Sequence, residues 1–519
     1  MWPISLLRSL KSGSRHNQRR GRRLERHPRQ RFVPWLEGLE SRTLLSTFTV
    51  LNNADSGDGS LRAMLALASS GDTIDFAPDL TGQTITLTNA ELVINKSLDI
   101  EGLGGPQPVV LNQVNFPLTF RTFDITDPNT TVTLANLIFA GGGVTQGGAI
   151  FDAGATVYLV HDTIAGVAQG TAAIGGSPGG DGQGGGIYQA GGSLTLTQCH
   201  VDGVAVGGDG GAFAAGGAGM GGAIYTAGGA LTVVNPFNIE FGLNGDADGG
   251  SGTVGGTAAG GVIYAAPGTT VTISNSDVTG ALNNFHAGGS GTVAAGAAFG
   301  GVIYQTGGTL SITGTQLFNG PDGVTSGNFG AGSAAGGVLY LSGVNVSLEN
   351  SSIFGQLTGV TALGGGVFQD GGVFTATNCT FGGLANAVLG EGGALYVAGG
   401  MTTLQNCVVN TGASGLDAFF GGAIYQAGGS LTVTNCTFTN DEAFSFGGLA
   451  EGGALYVAAG TATIQNCAFD NDSAIASGGG QGFGGAIFVG PDASITISKN
   501  TSFVGDTAST AGNDIYFGP

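Results

Sequence analysis

Gly421-Gly422-Ala423-Ile424-Tyr425-Gln426-Ala427-Gly428-Gly429-Ser430-Leu431-Thr432-Val433-Thr434-Asn435-Cys436-Thr437-Phe438 reads as two short strands hinged on glycine turns. Apolar and polar residues alternate in the second strand, as they do where one face is buried. A glycine-rich loop of this kind could cradle a phosphate, but neither a helix nor a Lys follows it. Its recurrence decides the reading. The unit Gly-Gly-[Ala/Gly/Val]-[Ile/Val/Leu]-[Tyr/Phe] begins at Gly147, Gly184, Gly221, Gly260, Gly300, Gly336, Gly364, Gly392, Gly421, Gly452 and Gly484, at intervals of 28 to 40 residues. Such a period signals a solenoid, propeller or array. A propeller blade needs four strands, and the shortest intervals hold only two clear ones. One repeat per coil of a right-handed parallel β-helix fits better, an all-β solenoid. The longer early intervals carry Gly/Ala-rich inserts, 170–183, 206–220 and 245–259, expected to emerge as loops on one face.

Stacked coils place equivalent residues about 4.8 Å apart, so the repeats can be read as columns. The fourth motif position is always aliphatic, from Ile150 to Ile487, and is the expected inward column. The next position is always aromatic: Tyr188, Tyr225, Tyr264, Tyr304, Tyr340, Tyr396, Tyr425 and Tyr456, with Phe151, Phe368 and Phe488. Strand alternation turns it the other way. It is either a stack that shields the sheet and fixes register, or a stripe for carbohydrate stacking or self-association. Cys199, Cys379, Cys407, Cys436 and Cys467 share a column, with Pro236, Ser276, Thr315 and Ser351 filling it elsewhere. Small buried thiols at a tight corner are the expectation, rather than disulfides. Asn378, Asn406, Asn435 and Asn466 precede them and suggest an Asn ladder.

Composition supports this picture and removes others. Glycine is abundant, 103 of 519 residues, without the every-third spacing of collagen. Residues 1–46 hold 11 of the 15 Lys and Arg, while residues 47–519 hold four against 32 Asp and Glu. A body this acidic does not suit nucleic acid, whose phosphates need cationic partners. The five cysteines are an odd number with no CxxC, so neither a disulfide framework nor a zinc site is indicated. No apolar run is long enough for a transmembrane helix.

The chain divides into a basic N-terminal segment (1–46), read as a disordered tail or an export or targeting segment, an N-terminal cap with the first coils (47–146) and the repeat array (147–519). In the second segment Ser60 can cap a short helix over 61–68 ahead of strand-like runs at 72–76, 83–88 and 97–102. This order, from Thr47 to about Gly105, resembles the N-terminal cap of right-handed parallel β-helix proteins. Leu36-Glu37-x-Leu39-Glu40-x-Arg42-x-Leu44-Leu45-Ser46, behind an Arg-rich leader, resembles the LExLExRxLLS segment of exported planctomycete proteins. That likeness implies an extracytoplasmic location, at the cell surface or secreted.

The pairing of Gly-Gly-Ala-Ile with a following Phe and Asn, as at Gly421 and Phe438-Thr439-Asn440, resembles the polymorphic outer membrane protein repeat. The resemblance implies a surface-exposed β-helical protein or adhesin. The same helix shape, the pectin lyase-like fold, also carries polysaccharide lyases and hydrolases, and fold alone does not decide between them. No Lys or Arg lies between Arg121 and Lys499, which removes the usual lyase base and carboxylate clamp. The paired acids Asp246/Asp248, Asp441/Glu442 and Asp470/Asp472 are read as turn residues, and His161-Asp162 lacks a placed nucleophile. Asn244 to Gly249 matches the start of a calcium loop loosely, with Asp246 and Asp248 as candidate ligands. The expectation is a non-catalytic structural or adhesive protein with no catalytic residues, no cofactor unless calcium, and glycans or cell-surface components as partners. A polysaccharide-degrading enzyme is the alternative.

Overall fold

A computed structural model describes residues 45–113, 120–235, 242–280, 286–319, 324–325 and 333–519. All but the last two residues of the basic segment therefore lie outside the described residues. Leu45–Pro519 forms one compact unit, so the cap and the repeat array are continuous. Every strand pairing among the described residues is parallel, and each links one coil to the next. The protein is a parallel β-helix.

One coil shows how the sequence builds the wall. Gly421 and Gly422 open it, and Ile424–Gln426 and Ser430–Thr434 form a front wall. Asn435-Cys436 turns the corner, and Thr437–Thr439 starts the rear wall. Ile424 pairs in register with Leu395 before it and Leu455 after it. The same column runs from Leu92 through Phe123 and Ile150 to Ile515, and its members from Leu92 to Ile487 are buried as expected. Phe438, Phe469 and Phe503 face it from the rear wall, stacked at 4.7 and 5.1 Å.

The two glycines of the motif have different reasons. Gly421 has φ +66°, a left-handed conformation that L side chains rarely adopt. Gly422 has no room: a Cβ there would lie 2.0 Å from the Gly453 carbonyl oxygen and 2.5 Å from the Glu442 carbonyl carbon. At Gly148, Gly185, Gly222, Gly422, Gly453 and Gly485 alike, the front of the coil touches the rear wall backbone against backbone. Apolar residues on the two sides of this contact form separate clusters. The larger holds Ile424, Leu431, Cys436 and Phe438. The smaller is mostly alanine, with Ala385, Ala443, Ala450 and Phe419.

The inserts differ from expectation. They are stacked in register and are not free loops. Gly182–Gln183, Gly219–Met220, Ala258–Ala259 and Ala298–Phe299 pair coil to coil. Beyond them, glycine amides zigzag through the stack: Gly208 N–H donates to Gly180, Gly217 to Gly208, Gly250 to Gly217 and Gly256 to Gly250. A Cβ on Gly179, Gly216 or Gly255 would approach a neighbouring carbonyl oxygen within 1.8 Å. Glycine here permits close backbone packing, which a composition-based reading takes for flexibility.

The helix cap forms as Leu61–Leu67. The Ser60 hydroxyl accepts the Ala63 N–H at 3.2 Å. Leu61 and Leu65 cover the core at this end. Lys96 Nζ donates to the Leu65 and Ala68 carbonyls at 3.0 and 2.7 Å, satisfying helix-end oxygens.

Candidate functional site

The aromatic column forms a continuous stack on the outer surface. Tyr188, Tyr225, Tyr264, Tyr304, Tyr340, Phe368, Tyr396, Tyr425, Tyr456 and Phe488 follow one another at 4.7–5.2 Å between centroids, with planes within 11°. Phe151 precedes Tyr188 at 5.2 Å, and Tyr516 extends the column beyond Phe488 at 5.7 Å. The guanidinium of Arg121 lies 4.8 Å over the Phe151 ring, held by Asp124 at 3.2 Å. The tyrosine rings from Tyr188 to Tyr456 are half-buried and Phe488 is buried, and the ring faces cover one another. Edges and hydroxyls are what the stripe offers a partner, and sugar stacking needs a free face.

A second column lies beside this one, made by the residue before each Gly-Gly. Leu363, Glu391, Phe420, Glu451 and Phe483 succeed one another there in register. The Phe420 ring packs 5.3 Å from Tyr456. Glu391 and Glu451 therefore flank Phe420 and adjoin Tyr396, Tyr425 and Tyr456. Burial pushes both carboxyls up to about 7. Burial, and then the neighbouring Glu391, pushes the Tyr396 hydroxyl up to about 12. These two acids were missed in the sequence. Their signal is the repeated Glu-Gly-Gly-Ala-Leu-Tyr-Val at Glu391 and Glu451. With Phe420 between them they stand two strand spacings apart, about 9.5 Å. The arrangement can donate and accept hydrogen bonds near neutral pH, with Phe420 in register between the two acids.

The structure places the calcium candidates in a strand. Asp246 and Asp248 lie in the rear-wall strand Leu243–Asp248, paired with Val204 and Val206, and not in a loop. An extended strand does not wrap oxygens around a cation. Asp246 is 5% exposed, and Asp248 accepts the Ala287 N–H at 3.3 Å. Burial, then the adjacent Asp248, pushes Asp246 up to about 8. Among the described residues no three His, Cys, Asp or Glu side chains converge as metal ligands.

The remaining candidates are parts of the corners. Asn350, Asn378, Asn406, Asn435, Asn466 and Asn500 form the expected ladder, each Nδ2 donating to the preceding Oδ1 at 3.1–3.3 Å. From Asn350 to Asn466 these corner residues have φ of 51–55°, which Asn tolerates well. His161 occupies the same kind of position, 2.6 Å from Gln198. Asp162 points inward instead and accepts the Leu137 N–H at 2.8 Å, so the two do not act together. The five cysteines are free and buried. Their column has a purpose beyond size: it supplies an acceptor for the amide one coil earlier. Cys407 N–H donates to Cys436 Sγ at 3.3 Å, and Thr315 N–H to Ser351 Oγ at 3.2 Å. Cys199 N–H donates to Asn235 Oδ1 at 3.0 Å, so Asn235 fills the column and not Pro236, which lies outside the described residues. At the opposite corner Asp441, Asp472 and Asp506 play the same part for Thr411, Asp441 and Asp472. Asp441 and Asp472 thus lie at turns as read, and are buried there.

No helix among the described residues is long and apolar enough to cross a membrane. No family model matches the chain, and no curated protein matches it. Among solved structures, "Geobacillus virus E2 - ORF18" matches with 10% identity over 85% of this chain. The chain spans 61% of that structure's length, and a TM-score of 0.17 gives the likeness no weight for fold or function.

Proposed function

We propose that the protein is a non-catalytic, extracytoplasmic β-helix, secreted or held at a cell surface, with a structural or adhesive role. The observation that supports it best is the column of tyrosine edges from Tyr188 to Tyr456, repeated in register along the surface beside Glu391 and Glu451. A repeated surface suits an extended, repetitive partner, such as a glycan or a second copy of this chain. The export-type segment ending at Ser46 supports the location. Calcium enters this reading only through the acidic surface as a whole.

The test is a glycan-array and cell-surface binding screen of the full chain, with and without calcium, repeated with Tyr396→Ser and Tyr425→Ser together. Binding weakened by the tyrosine changes is expected. A polysaccharide-degrading role is favoured by one observation, the two carboxyls held near neutrality. Depolymerisation of any glycan that is lost in both Glu391→Gln and Glu451→Gln would replace the non-catalytic reading.

A further inference from the structure

The front-wall strand that follows the tyrosine turn carries a different surface. Its central outward column runs in register from Thr133 to Thr496 and is Thr or Ser at every coil except Tyr158. On either side lie columns that also favour Thr and Ser, such as Thr270 and Ser274 around Thr272, or Ser430 and Thr434 around Thr432. Inward neighbours such as Leu231 and Val233 are buried, which fixes the hydroxyl rows outward. Several of the row members, among them Thr131, Thr270, Thr461 and Thr496, are exposed.

Three properties of this face restrict its partner. It is periodic in two directions, with steps of about 4.8 Å between coils and about 6.7 Å between alternate residues of a strand. Its side chains are mostly β-branched, with restricted χ1, so hydroxyl and methyl groups repeat their positions. It is almost free of charge: Glu349 is the one carboxylate in the three columns between Thr131 and Ser494. Residues 47–519 as a whole carry 32 Asp and Glu against four Lys and Arg. A neutral field on so acidic a body complements a neutral partner, since a cationic one would gain more almost anywhere else.

We propose that this threonine face binds the surface of ice. Ice is uncharged and presents hydrogen-bond donors and acceptors at fixed, repeating positions. A rigid row of hydroxyls can enter that lattice, while the methyl groups between them make no hydrogen bonds to water that docking would break. A mobile or charged side chain would hold its own water and break the match. This role stands apart from the adhesive reading, which uses the tyrosine columns.

The test measures ice recrystallisation inhibition and ice-crystal shaping by the full chain. Three proteins are compared: wild type, Thr232→Lys with Thr272→Lys, and a rear-wall control, Gln316→Lys with Thr380→Lys. Circular dichroism checks that each is folded. Activity in the wild type and the control, lost in the threonine pair, is expected. A folded wild type without ice activity overturns the proposal, as does equal loss in the control. Should the lysine pair unfold, Thr232→Val with Thr272→Val decides, because it keeps shape and removes hydroxyls; unchanged activity there overturns the proposal. Sedimentation with microcrystalline cellulose and chitin is run beside it. Binding to either solid without ice activity assigns the face to a crystalline polysaccharide and overturns it.

Discussion

The backbone N–H of Asp441 donates to Oδ1 of Asp472 at 2.9 Å, one coil further along. The pattern continues from Asp472 to Asp506 at 2.8 Å. In each of the three aspartates the other oxygen is buried without a partner. Burial raises Asp441 well above its ordinary value, Asp472 to about 8 and Asp506 to about 6. The folded state therefore holds protons that the unfolded chain, with carboxyls near 3.8, has released. Their contribution to stability is complete below that value and is lost as pH rises through about 6 and then 8. Thermal unfolding should occur at a higher temperature near pH 5 than near pH 9, by roughly 5 °C or more. Asp472→Asn, which keeps the acceptor, should flatten that slope; an unchanged pH profile in this variant would show that the ladder does not titrate as described.

Gly422→Ala should be among the most damaging small substitutions in the chain. Its Cβ would meet the Gly453 carbonyl at 2.0 Å, and backbone on both walls must move. Gly428→Ala meets only the Ala398 carbonyl, at 3.0 Å, without a left-handed φ. Denaturant unfolding should show a loss of about 2–4 kcal/mol for the first and well under half of that for the second. Equal effects would mean that the contact between the walls is not tight.

Asn406→Ala removes two ladder bonds, to Asn378 at 3.1 Å and from Asn435 at 3.2 Å, and places alanine at φ 52°. A cost of about 1–3 kcal/mol follows. Asn406→Gly loses the same bonds but relieves the dihedral, so it should be the milder change. Paired denaturation curves separate the two terms.

Cys436→Ser should be nearly neutral, because the new hydroxyl still accepts from Cys407 N–H and Ser351 already serves Thr315. Cys436→Val fits the space but leaves that amide unpaired, at about 1–3 kcal/mol. The thiols should resist alkylation until the chain unfolds, since Cys379, Cys407, Cys436 and Cys467 are each at most 2% exposed. Rapid labelling of the native protein would contradict their buried position.

Much of this fold is legible in the sequence because neighbours in a solenoid are one interval apart in the chain. Ile424 could be placed against Leu395 and Leu455 before any coordinates, and Tyr425 against Tyr396 and Tyr456. What failed had physical causes. The slip from Asn235 to Pro236 falls where insert lengths vary, so interval counting loses the corner. Asp246 and Asp248 looked like turn residues because Asp and Gly crowd there, yet strand pairing with Val204 and Val206 overrides local preference. The glycine inserts have no apolar alternation to reveal order, since their contacts are made by backbone alone. Glu391 and Glu451 were hidden by their position, one residue ahead of a motif whose glycines draw attention first.

The contact of Gly422 with the rear wall has a mechanical consequence. A hollow tube buckles by flattening under load, and side chains in a wide core can slide to allow it. Here a web of bare backbone at Gly422 joins the two walls between the two apolar clusters. The cross-section is that of a girder. A chain built this way resists flattening, and with it bending along its length.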